Sequence, residues 1–303
     1  MYKINEAYFE IDEDQAVAFR KHGYIIVRKF FNNKEVEQLR HACKLKRKGD
    51  TIGIAEFNLV TISKKMIKNL RKIIKNKIIY PCLSLNRADD KPKHANAEEA
   101  NTRMFHVDSV PDDYNFDKDY GIYNTGIYLS DHKNYSGGLK VRPFSTRIKM
   151  EKFENFKSKI NRIINSILKF NFKVLKNEIY LFFNSVNLDT LPGDLIIWDA
   201  RCHHSGHFRR LKFFKNLSID PILENILPDF LFIKEPGSRE VILTIYIDSK
   251  SEYLEPYIKC QVEKKRRAEH YLNNEKINKK INKLNSSYIE IRNDGFFFWK
   301  NKL

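Results

Sequence analysis

Long apolar runs are absent from this 303-residue sequence. No stretch approaches the roughly 18 consecutive apolar residues that a membrane-spanning helix requires. The opening residues, MYKINEAYFEIDED, are polar and acidic, and they lack the hydrophobic core of a secretory signal peptide. We therefore expect a soluble, cytoplasmic protein with no membrane partner.

Cysteine is scarce as well. The four cysteines are widely scattered and form no C-x-x-C pair; they are Cys43, Cys82, Cys202 and Cys260. This spacing excludes a dense disulfide framework and a zinc knuckle. Reduced thiols in a cytoplasm are the simplest expectation.

Acidic residues are too few to balance the basic ones. The chain has 55 lysines and arginines against 38 aspartates and glutamates, which gives a net charge of +17. The lysines are spread through the whole chain, and the one dense cluster, residues 263–283, mixes both signs as a solvated helix does. Charge alone supports only non-specific attraction, which argues against a dedicated nucleic-acid-binding protein. A small anionic substrate would benefit more from the positive field.

The first part of the chain, residues 1–76, reads as helices around a strand. Asp12 and Gln15 form a capping-box pattern, and Gly23 can end the helix that follows. The strand is YIIVRKFF, and Asn33 can cap the next helix. We expect this segment to support the rest of the fold.

From about residue 77 the pattern changes to short apolar runs rich in Ile, Tyr, Phe and Val, separated by Gly, Pro, Asn and Asp. The runs are KIIYPCLSL, TRMFHVD, YNTGIYLSD, GGLKVRPF, EIYLFF, DLIIWDA and EVILTIYID. Such runs are typical of strands, and without regularly alternating helices they predict an antiparallel sandwich or barrel. One amphipathic helix, KFENFKSKINRIINSILKF, interrupts them.

Two short motifs contain the candidate metal ligands. In TRMFHVDSVPDD, His106 and Asp108 are two residues apart and would share one face of a strand. In PGDLIIWDARCHHSGH, a strand ends at the adjacent residues His203 and His204. Two histidines and one carboxylate on one face of an iron are the signature of non-haem Fe(II) oxygenases, because three coordination positions stay open. On these grounds alone, either histidine could be the third ligand.

In order and spacing, these segments resemble the phytanoyl-CoA dioxygenase family of Fe(II)/2-oxoglutarate-dependent oxygenases over about residues 11–250. IDEDQAVAFRKHGYIIVRKFFNNKEVEQLR resembles the family's opening, and FHVDS stands at its H-x-D position. GIYLSDHKNYSGGLKVRPFS resembles the next two strands with their Gly-Gly turn. PGDLIIWDARCHHSG resembles the distal segment, in which the histidine lies three residues after the arginine of D-x-R. This spacing selects His204 over His203.

The resemblance implies a mainly β fold with flanking helices. Its core would be a double-stranded β-helix (a cupin-like jelly roll), with N-terminal helices packed on one sheet and a helical C-terminal extension. The whole chain, residues 1–303, would be a single domain. The core would span residues 77–250, with insertions near 151–170 and 205–238, and residues 251–303 would form the polar extension.

The resemblance also implies an enzyme, a dioxygenase in which His106, Asp108 and His204 hold Fe(II). With 2-oxoglutarate as co-substrate and O2, such an enzyme hydroxylates an unactivated carbon of a small molecule and releases succinate and CO2. Related iron halogenases replace the carboxylate with a small residue, so Asp108 favours hydroxylation. The substrate class implied is a saccharide, a secondary metabolite or an acyl conjugate.

The far carboxylate of 2-oxoglutarate needs a cation, and arginine can bind a carboxylate with two parallel hydrogen bonds. In the family this arginine begins the strand after the distal histidine, which indicates Arg239 in PGSREVILTIYID. Arg209 and Arg210 lie nearer to the family's usual spacing and remain alternatives. Tyr128 lies on the strand that lines the pocket in relatives, where it either bonds the co-substrate or packs in the core.

Two functions of other classes stay open from the sequence. A non-catalytic jelly-roll module could keep the metal or ligand site without turnover. A basic nucleic-acid-binding protein would need no iron and would bind with strong salt dependence. The oligomeric state does not follow from the sequence.

Overall fold

The computed structural model describes most of the chain outside a few segments. The described residues are 5–45, 48–49, 60, 63–81, 84–89, 104–108, 114, 119–149, 156–206, 208–234, 239–257 and 289–291. The charged cluster at 263–283 and most of the predicted helical extension lie outside them. Within that extension, Ile289–Ile291 forms a strand instead of a helix.

Fourteen strands are numbered here in chain order. They are β1 (Glu6–Tyr8), β2 (Tyr24–Arg28), β3 (Lys48–Gly49), β4 (Ile78–Tyr80), β5 (Ser84–Asp89), β6 (Ile122–Tyr128), β7 (Leu139–Val141), β8 (Val186–Leu188), β9 (Asp194–Asp199), β10 (His204–Ser205), β11 (Arg210–Leu211), β12 (Phe232–Ile233), β13 (Arg239–Asp248) and β14 (Ile289–Ile291).

The helices in the described part of the chain flank these strands. They are α1 (Glu13–His22), α2 (Asn33–Leu45), α3 (Lys64–Ile73), α4 (Phe156–Leu168), α5 (Phe172–Phe183) and α6 (Pro221–Ile226). None of them combines the length and the apolarity that crossing a bilayer requires.

The strands form one large sheet and two small ones. The large sheet has nine strands in the order β1-β2-β9-β6-β13-β4-β14, and β5 pairs with both β13 and β3. Its central pairings β2–β9, β9–β6 and β6–β13 are antiparallel. A three-stranded antiparallel sheet has the order β10-β7-β8, and β11 pairs with β12. The fold therefore mixes helices with antiparallel sheets.

The N-terminal helices cover one face of the large sheet. Asp12 and Gln15 form the predicted capping box, and Gly23 ends α1 in the left-handed conformation with φ of 84°. Apolar side chains of α1, α2 and α3 then pack on the sheet in one buried cluster, and Phe19 and Leu70 are among them. The predicted packing of these helices on one sheet is confirmed. The second cap lies one residue earlier than predicted, because Asn32 exchanges hydrogen bonds with Glu35.

The other face of the large sheet packs against the three-stranded sheet. A buried apolar cluster joins the two; it contains Tyr24, Ile26, Tyr128, Leu139, Val141, Leu188, Ile196, Trp198, Cys202 and Val241. The space between the two sheets is called the interior below. The face of the small sheet that borders it is the inner face, and the opposite face is the outer face.

One strand prediction, in the segment 156–183, is wrong. EIYLFF, residues 178–183, lies in α5 and is not a strand. The helix begins at the cap Asn171, whose side chain accepts a hydrogen bond from the Val174 N–H at 3.2 Å. Glu178 is bound there to Arg162 of the preceding helix at 2.8 Å. Periodicity cannot separate a short strand from a buried helix segment, and here capping and pairing with α4 favoured the helix.

Candidate metal centre

The two metal-ligand motifs meet at the edge of the three-stranded sheet. His106 and His204 form an isolated antiparallel bridge, in which each N–H donates to the other's carbonyl oxygen, at 2.9 and 3.0 Å. Asp108 is held next to this bridge by its N–H, which donates to the Ala200 carbonyl at 3.0 Å. Backbone pairing thus joins segments that are almost 100 residues apart in sequence.

Both histidine rings are oriented in the same way. The Nδ1 atom of His106 lies 3.0 Å from the Met104 carbonyl, and that of His204 lies 3.0 Å from the Cys202 carbonyl. A carbonyl oxygen only accepts, so each Nδ1 carries a hydrogen, and in the neutral ring the lone pair of Nε2 is left to bind a metal. Such an outer hydrogen bond fixes the tautomer and the orientation of a metal-binding imidazole.

The side chains of His106, Asp108 and His204, called the metal group below, converge on one point. One ligand atom from each of His106, Asp108 and His204 lies within 4.8 Å of the other two. The Asp108 carboxylate is 3.1 Å from Nε2 of His204 and 3.8 Å from Nε2 of His106. The side chain of His204 is 5% exposed and that of Asp108 is 34% exposed. The group is therefore anchored in the protein on one side and open on the other.

Electrostatics at the group favour a positive charge. Burial alone would lower the pKa of His204, but attraction to Asp108 and the hydrogen bond that the His204 ring donates to it outweigh burial and hold that pKa above its usual value. The carboxylate stabilises a proton there, and it would stabilise a divalent cation for the same reason. Two neutral imidazoles and one carboxylate suit a borderline metal such as Fe(II).

His203 points elsewhere. Its Nε2 atom lies 2.8 Å from the Ile148 carbonyl, and the ring is buried. Adjacent residues of an extended segment face opposite sides, so only one of the two histidines can reach His106. The structure brings together His106, Asp108 and His204, as the spacing after Arg201 predicts.

A supporting residue escaped the sequence reasoning. The Asn124 side chain donates from Nδ2 to Oδ2 of Asp108 at 2.7 Å. Asn124 is 4% exposed and lies on β6, opposite Trp198 of β9. An amide inside the otherwise apolar run IYNTGIY is the signal that could have identified it, because a buried amide requires a partner.

The loop that leads to His204 is held by the D-x-R part of the motif. Arg201 binds Asp199 through Nε at 2.9 Å and through Nη2 at 2.7 Å, and its Nη1 donates to the Tyr114 hydroxyl at 3.0 Å. Tyr114 belongs to the segment that follows Asp108. The arginine therefore ties together the two segments that provide the ligands.

The interior next to the group is apolar but retains polar atoms. The Trp198 ring lies 5.5 Å from the His204 ring, and its Nε1 atom is buried without a partner among the described residues. Gly126 lies two residues from Asn124 on the same face of β6. A Cβ atom at Gly126 would meet side-chain carbons of Tyr128, Leu243 and Trp198 at 3.2, 3.3 and 3.3 Å. Glycine here lets these side chains pack closer to β6 than any larger residue would allow.

The outer face of the small sheet carries buried charge. Lys140 forms an ion pair with Glu224, and Arg142 binds Asp220 at 2.8 Å. Both acids belong to α6 and its cap, in the segment 208–234, which is called the insertion below. The Arg142 guanidinium also lies 3.8 Å from the centre of the Phe105 ring, next to His106. The insertion is thus packed firmly on the back of the metal group.

The alternative arginines belong to the insertion. Arg209 donates to the Glu224 carbonyl at 2.7 Å and to Asp229 at 2.5 Å. Arg210 is buried and donates to the His132 carbonyl at 2.8 Å and to Asp189 at 2.5 Å. Both guanidinium groups hold the protein's own acceptors, which disfavours them as ligands of a co-substrate.

The other two predicted site residues, Tyr128 and Arg239, lie on the paired strands β6 and β13. Tyr128 is buried in the cluster between the sheets, where its ring makes a T-shaped contact with His132 at 5.2 Å. Arg239 is the first residue of β13, and its backbone lies opposite that of Asp89 in the antiparallel pairing with β5. On β13 it has the same parity as Val241, which packs in the interior.

No family model and no curated protein matches the chain. Solved structures do match. HygX from Streptomyces hygroscopicus, in its apo form, has 12% identity and a TM-score of 0.50, with 80% of this chain and 88% of that chain covered. This likeness shows a common fold.

Two further structures have somewhat lower scores. EctD from S. alaskensis, solved with 2-oxoglutarate and 5-hydroxyectoine, has 15% identity and a TM-score of 0.48 over 83% of this chain and 79% of its own. SnoN, a non-heme alpha ketoglutarate dependent epimerase from nogalamycin biosynthesis, has 13% identity and a TM-score of 0.47 over 77% and 79%.

Proposed function

We propose that the protein is an Fe(II)/2-oxoglutarate-dependent dioxygenase that hydroxylates a small molecule. The observation that carries this proposal is the convergence of the His106, Asp108 and His204 ligand atoms within 4.8 Å, on a group open to one side. Two imidazoles and a carboxylate with open positions are the ligand set that Fe(II) oxygenases use.

In this proposal each residue has a defined role. His106 and His204 bind the metal through Nε2, and Asp108 binds it through its carboxylate. Asn124 positions Asp108 by its hydrogen bond of 2.7 Å. When bound, Fe(II) with 2-oxoglutarate and O2 supplies the oxidising power that hydroxylates an unactivated carbon, with release of succinate and CO2.

The fold proposal is a jelly roll whose interior receives the co-substrate. Two antiparallel sheets pack face to face, and the metal group lies at one end of the space between them. The residues from Asn124 to Tyr128 on β6 extend about 13 Å from that end. The Trp198 indole borders this path, and its buried Nε1 has no partner among the described residues, so it offers a hydrogen-bond donor.

Arg239 would bind the far carboxylate of 2-oxoglutarate, and Tyr128 would border it. Val241 and Arg239 have the same parity on β13, and Val241 packs in the interior. The competing arginines, Arg209 and Arg210, are already bound to acceptors of the protein itself.

The substrate we propose is a small, anionic metabolite. The net charge of +17 would raise the local concentration of an anion. A saccharide, a secondary metabolite and an acyl conjugate each fit this description. The proposed reaction at His106, Asp108 and His204 does not involve nucleic acid.

The direct test is uncoupled turnover. Protein purified without oxygen would receive Fe(II), 2-oxoglutarate and O2, and succinate would be measured. We expect succinate from the wild type, none above background from His106→Ala, and nearly wild-type amounts from His203→Gln. The last variant keeps a donor for the Ile148 carbonyl and leaves the three ligands in place.

The outcomes separate the candidate functions. If the wild type makes no succinate but binds Fe(II) through His106 and His204, the protein is a non-catalytic binding module. Salt-sensitive binding of DNA or RNA with no metal requirement would instead support the nucleic-acid alternative. Arg239→Ala should raise the KM for 2-oxoglutarate, while an unchanged KM would remove Arg239 from the proposal.

A further inference from the structure

The helices α4 and α5 form an antiparallel hairpin, and within the described part of the chain the apolar side chains at its tip are left largely uncovered. Four apolar side chains on and beside the turn are highly exposed; they are Ile167 (53%), Leu168 (69%), Phe170 (78%) and Phe172 (71%). They fall within six consecutive residues, so they form one patch, called the tip below. Contiguous exposed apolar patches commonly mark interaction sites.

The turn itself is well formed. The Asn171 N–H donates to the Ser166 carbonyl at 2.8 Å, and the Phe170 N–H donates to the Ile167 carbonyl at 3.0 Å. This is the Schellman pattern, whose left-handed residue is usually glycine. Arg162 and Glu178 clamp the two helices at 2.8 Å. The exposure of the tip therefore belongs to an ordered hairpin.

Phe170 occupies the left-handed position. Its φ is 50°, a conformation that costs an L-residue with a side chain more than it costs glycine. Phe144 also has a positive φ, but its ring packs 4.6 Å from that of His22. Phe170 strains the backbone and is 78% exposed, so its side chain adds little packing to this chain. A role outside the folded chain explains a large apolar residue at this position.

The charges around the tip have one sign. Lys169, Lys173 and Lys176 are exposed. Residues 156–177 include no aspartate or glutamate, and Glu178 is already bound to Arg162. Apolar side chains flanked by lysines match the interface of an anionic bilayer, where aromatic rings lie at the headgroup level and lysines near the phosphates. Two copies of this tip would instead place like charges together.

The hairpin is attached near the metal group. The Tyr180 hydroxyl of α5 donates to the Pro143 carbonyl at 2.6 Å. Pro143 lies two residues after Val141, which pairs with His204. Phe172 is eight residues before Tyr180, so the tip lies about 12 Å along the helix from this anchor. Contact at the tip would hold the protein at a surface through a helix joined to the metal end.

We propose that the tip docks on an anionic phospholipid bilayer: Phe170 and Phe172 enter the interface, and Lys169, Lys173 and Lys176 contact the lipid phosphates. This peripheral contact differs from a membrane span, for which no helix among the described residues is long and apolar enough, and it departs from the expectation of no membrane partner. It depends on neither the metal nor turnover.

The test is co-flotation of the full chain with vesicles. Vesicles of phosphatidylcholine alone would be compared with vesicles that contain phosphatidylglycerol, at low and high salt. We expect wild-type protein to float with the phosphatidylglycerol vesicles and part of that binding to survive high salt. Net charge alone would give binding that salt removes entirely.

The decisive variant is Phe170→Gly. Glycine suits the left-handed turn, so the melting temperature should stay the same or rise by about 2–4 °C. The affinity for the vesicles should fall roughly tenfold or more, because one buried phenylalanine is lost from the interface. A more stable protein that binds less well cannot be explained by misfolding.

Phe9, near the N-terminus, provides a matched control. Phe9 also has a positive φ, 63°, and is 59% exposed, but its neighbours include Glu6 and Glu10. Phe9→Gly should leave vesicle binding unchanged. The proposal is overturned if Phe170→Gly binds like the wild type or if Phe9→Gly loses as much. It is also overturned if the wild type does not float with the phosphatidylglycerol vesicles. A dimer that Phe170→Gly abolishes would then assign the tip to self-association.

Discussion

The two faces of the three-stranded sheet differ in their side chains, although these alternate along the same short strands. On the inner face, His204 lies opposite Val141 and leaves Nε2 available at an open edge. On the outer face, Lys140 and Arg142 are buried and paired with acids of the insertion. Strand alternation alone separates the two sets. In the proposed metal site, the closed outer face would fix the strand that carries His204.

This comparison predicts that the inner face governs metal affinity and the outer face governs stability. The largest effect is expected on the inner face. His204→Ala should weaken Fe(II) or Co(II) binding by more than the 10- to 100-fold that loss of an outer hydrogen bond costs. Anaerobic titration calorimetry would measure it. Added metal should raise the melting temperature of the wild type and not that of the variant.

The next effect lies on the outer face. Arg142→Met would remove the buried ion pair between Arg142 and Asp220, and we expect the free energy of unfolding to fall by about 3–5 kcal/mol. Urea denaturation would measure it.

The double variant Arg142→Met/Asp220→Asn provides the control. It should recover most of the loss, because asparagine carries no charge and still caps α6. Failure of the double variant to recover would mean that the outer face stabilises the fold through something other than charge pairing.

A smaller effect tests the link between Asn124 and the metal group. Asn124→Ala removes the hydrogen bond of 2.7 Å to Asp108. Metal affinity should fall by about 10- to 100-fold. Thr125→Ala, at the next residue on the opposite face of β6, should change stability but not metal affinity. Equal loss in both variants would contradict a positioning role for Asn124.

The smallest effect concerns Cys202, which is buried in the apolar cluster between the two sheets. Burial raises the pKa of its thiol to about 12. Folding therefore favours the protonated thiol, and this contribution to stability is present below pH 9 and is lost as the pH rises from 9 towards 12. Alkylation of Cys202 in the native protein, followed by mass spectrometry, should stay negligible from pH 7 to 9. Alkylation in urea should increase over that range.

Much of the metal group could be predicted because its signals are local. H-x-D puts two residues on one face of an extended segment, and the resemblance to the family pattern, with histidine three residues after the arginine of D-x-R, selects His204 over His203. The capping box at Asp12 and the left-handed Gly23 are local as well, and both are confirmed. Asn124 was missed because its partner, Asp108, is known only after β6 has been placed next to the H-x-D segment.

The outer face could not be predicted for a different reason. Lys140 and Arg142 alternate with apolar residues in LKVR, a pattern typical of a solvated strand face. Their acid partners lie 84 and 78 residues later, within the insertion. Long-range burial of charge leaves no periodic trace in a sequence. The helix over EIYLFF was missed for a related reason, because its pairing with α4 is a tertiary contact.

Gly126 gives the interior a property that protein engineers could exploit. Its absent side chain is the one place on β6 where a single methyl group would press on Tyr128, Leu243 and Trp198 together, at 3.2–3.3 Å. Alanine there would push these three side chains outward by a few tenths of an ångström, and Leu243→Val would relieve part of that pressure without changing His106, Asp108 or His204. The packing between the two sheets can therefore be tightened or relaxed from a single position on β6.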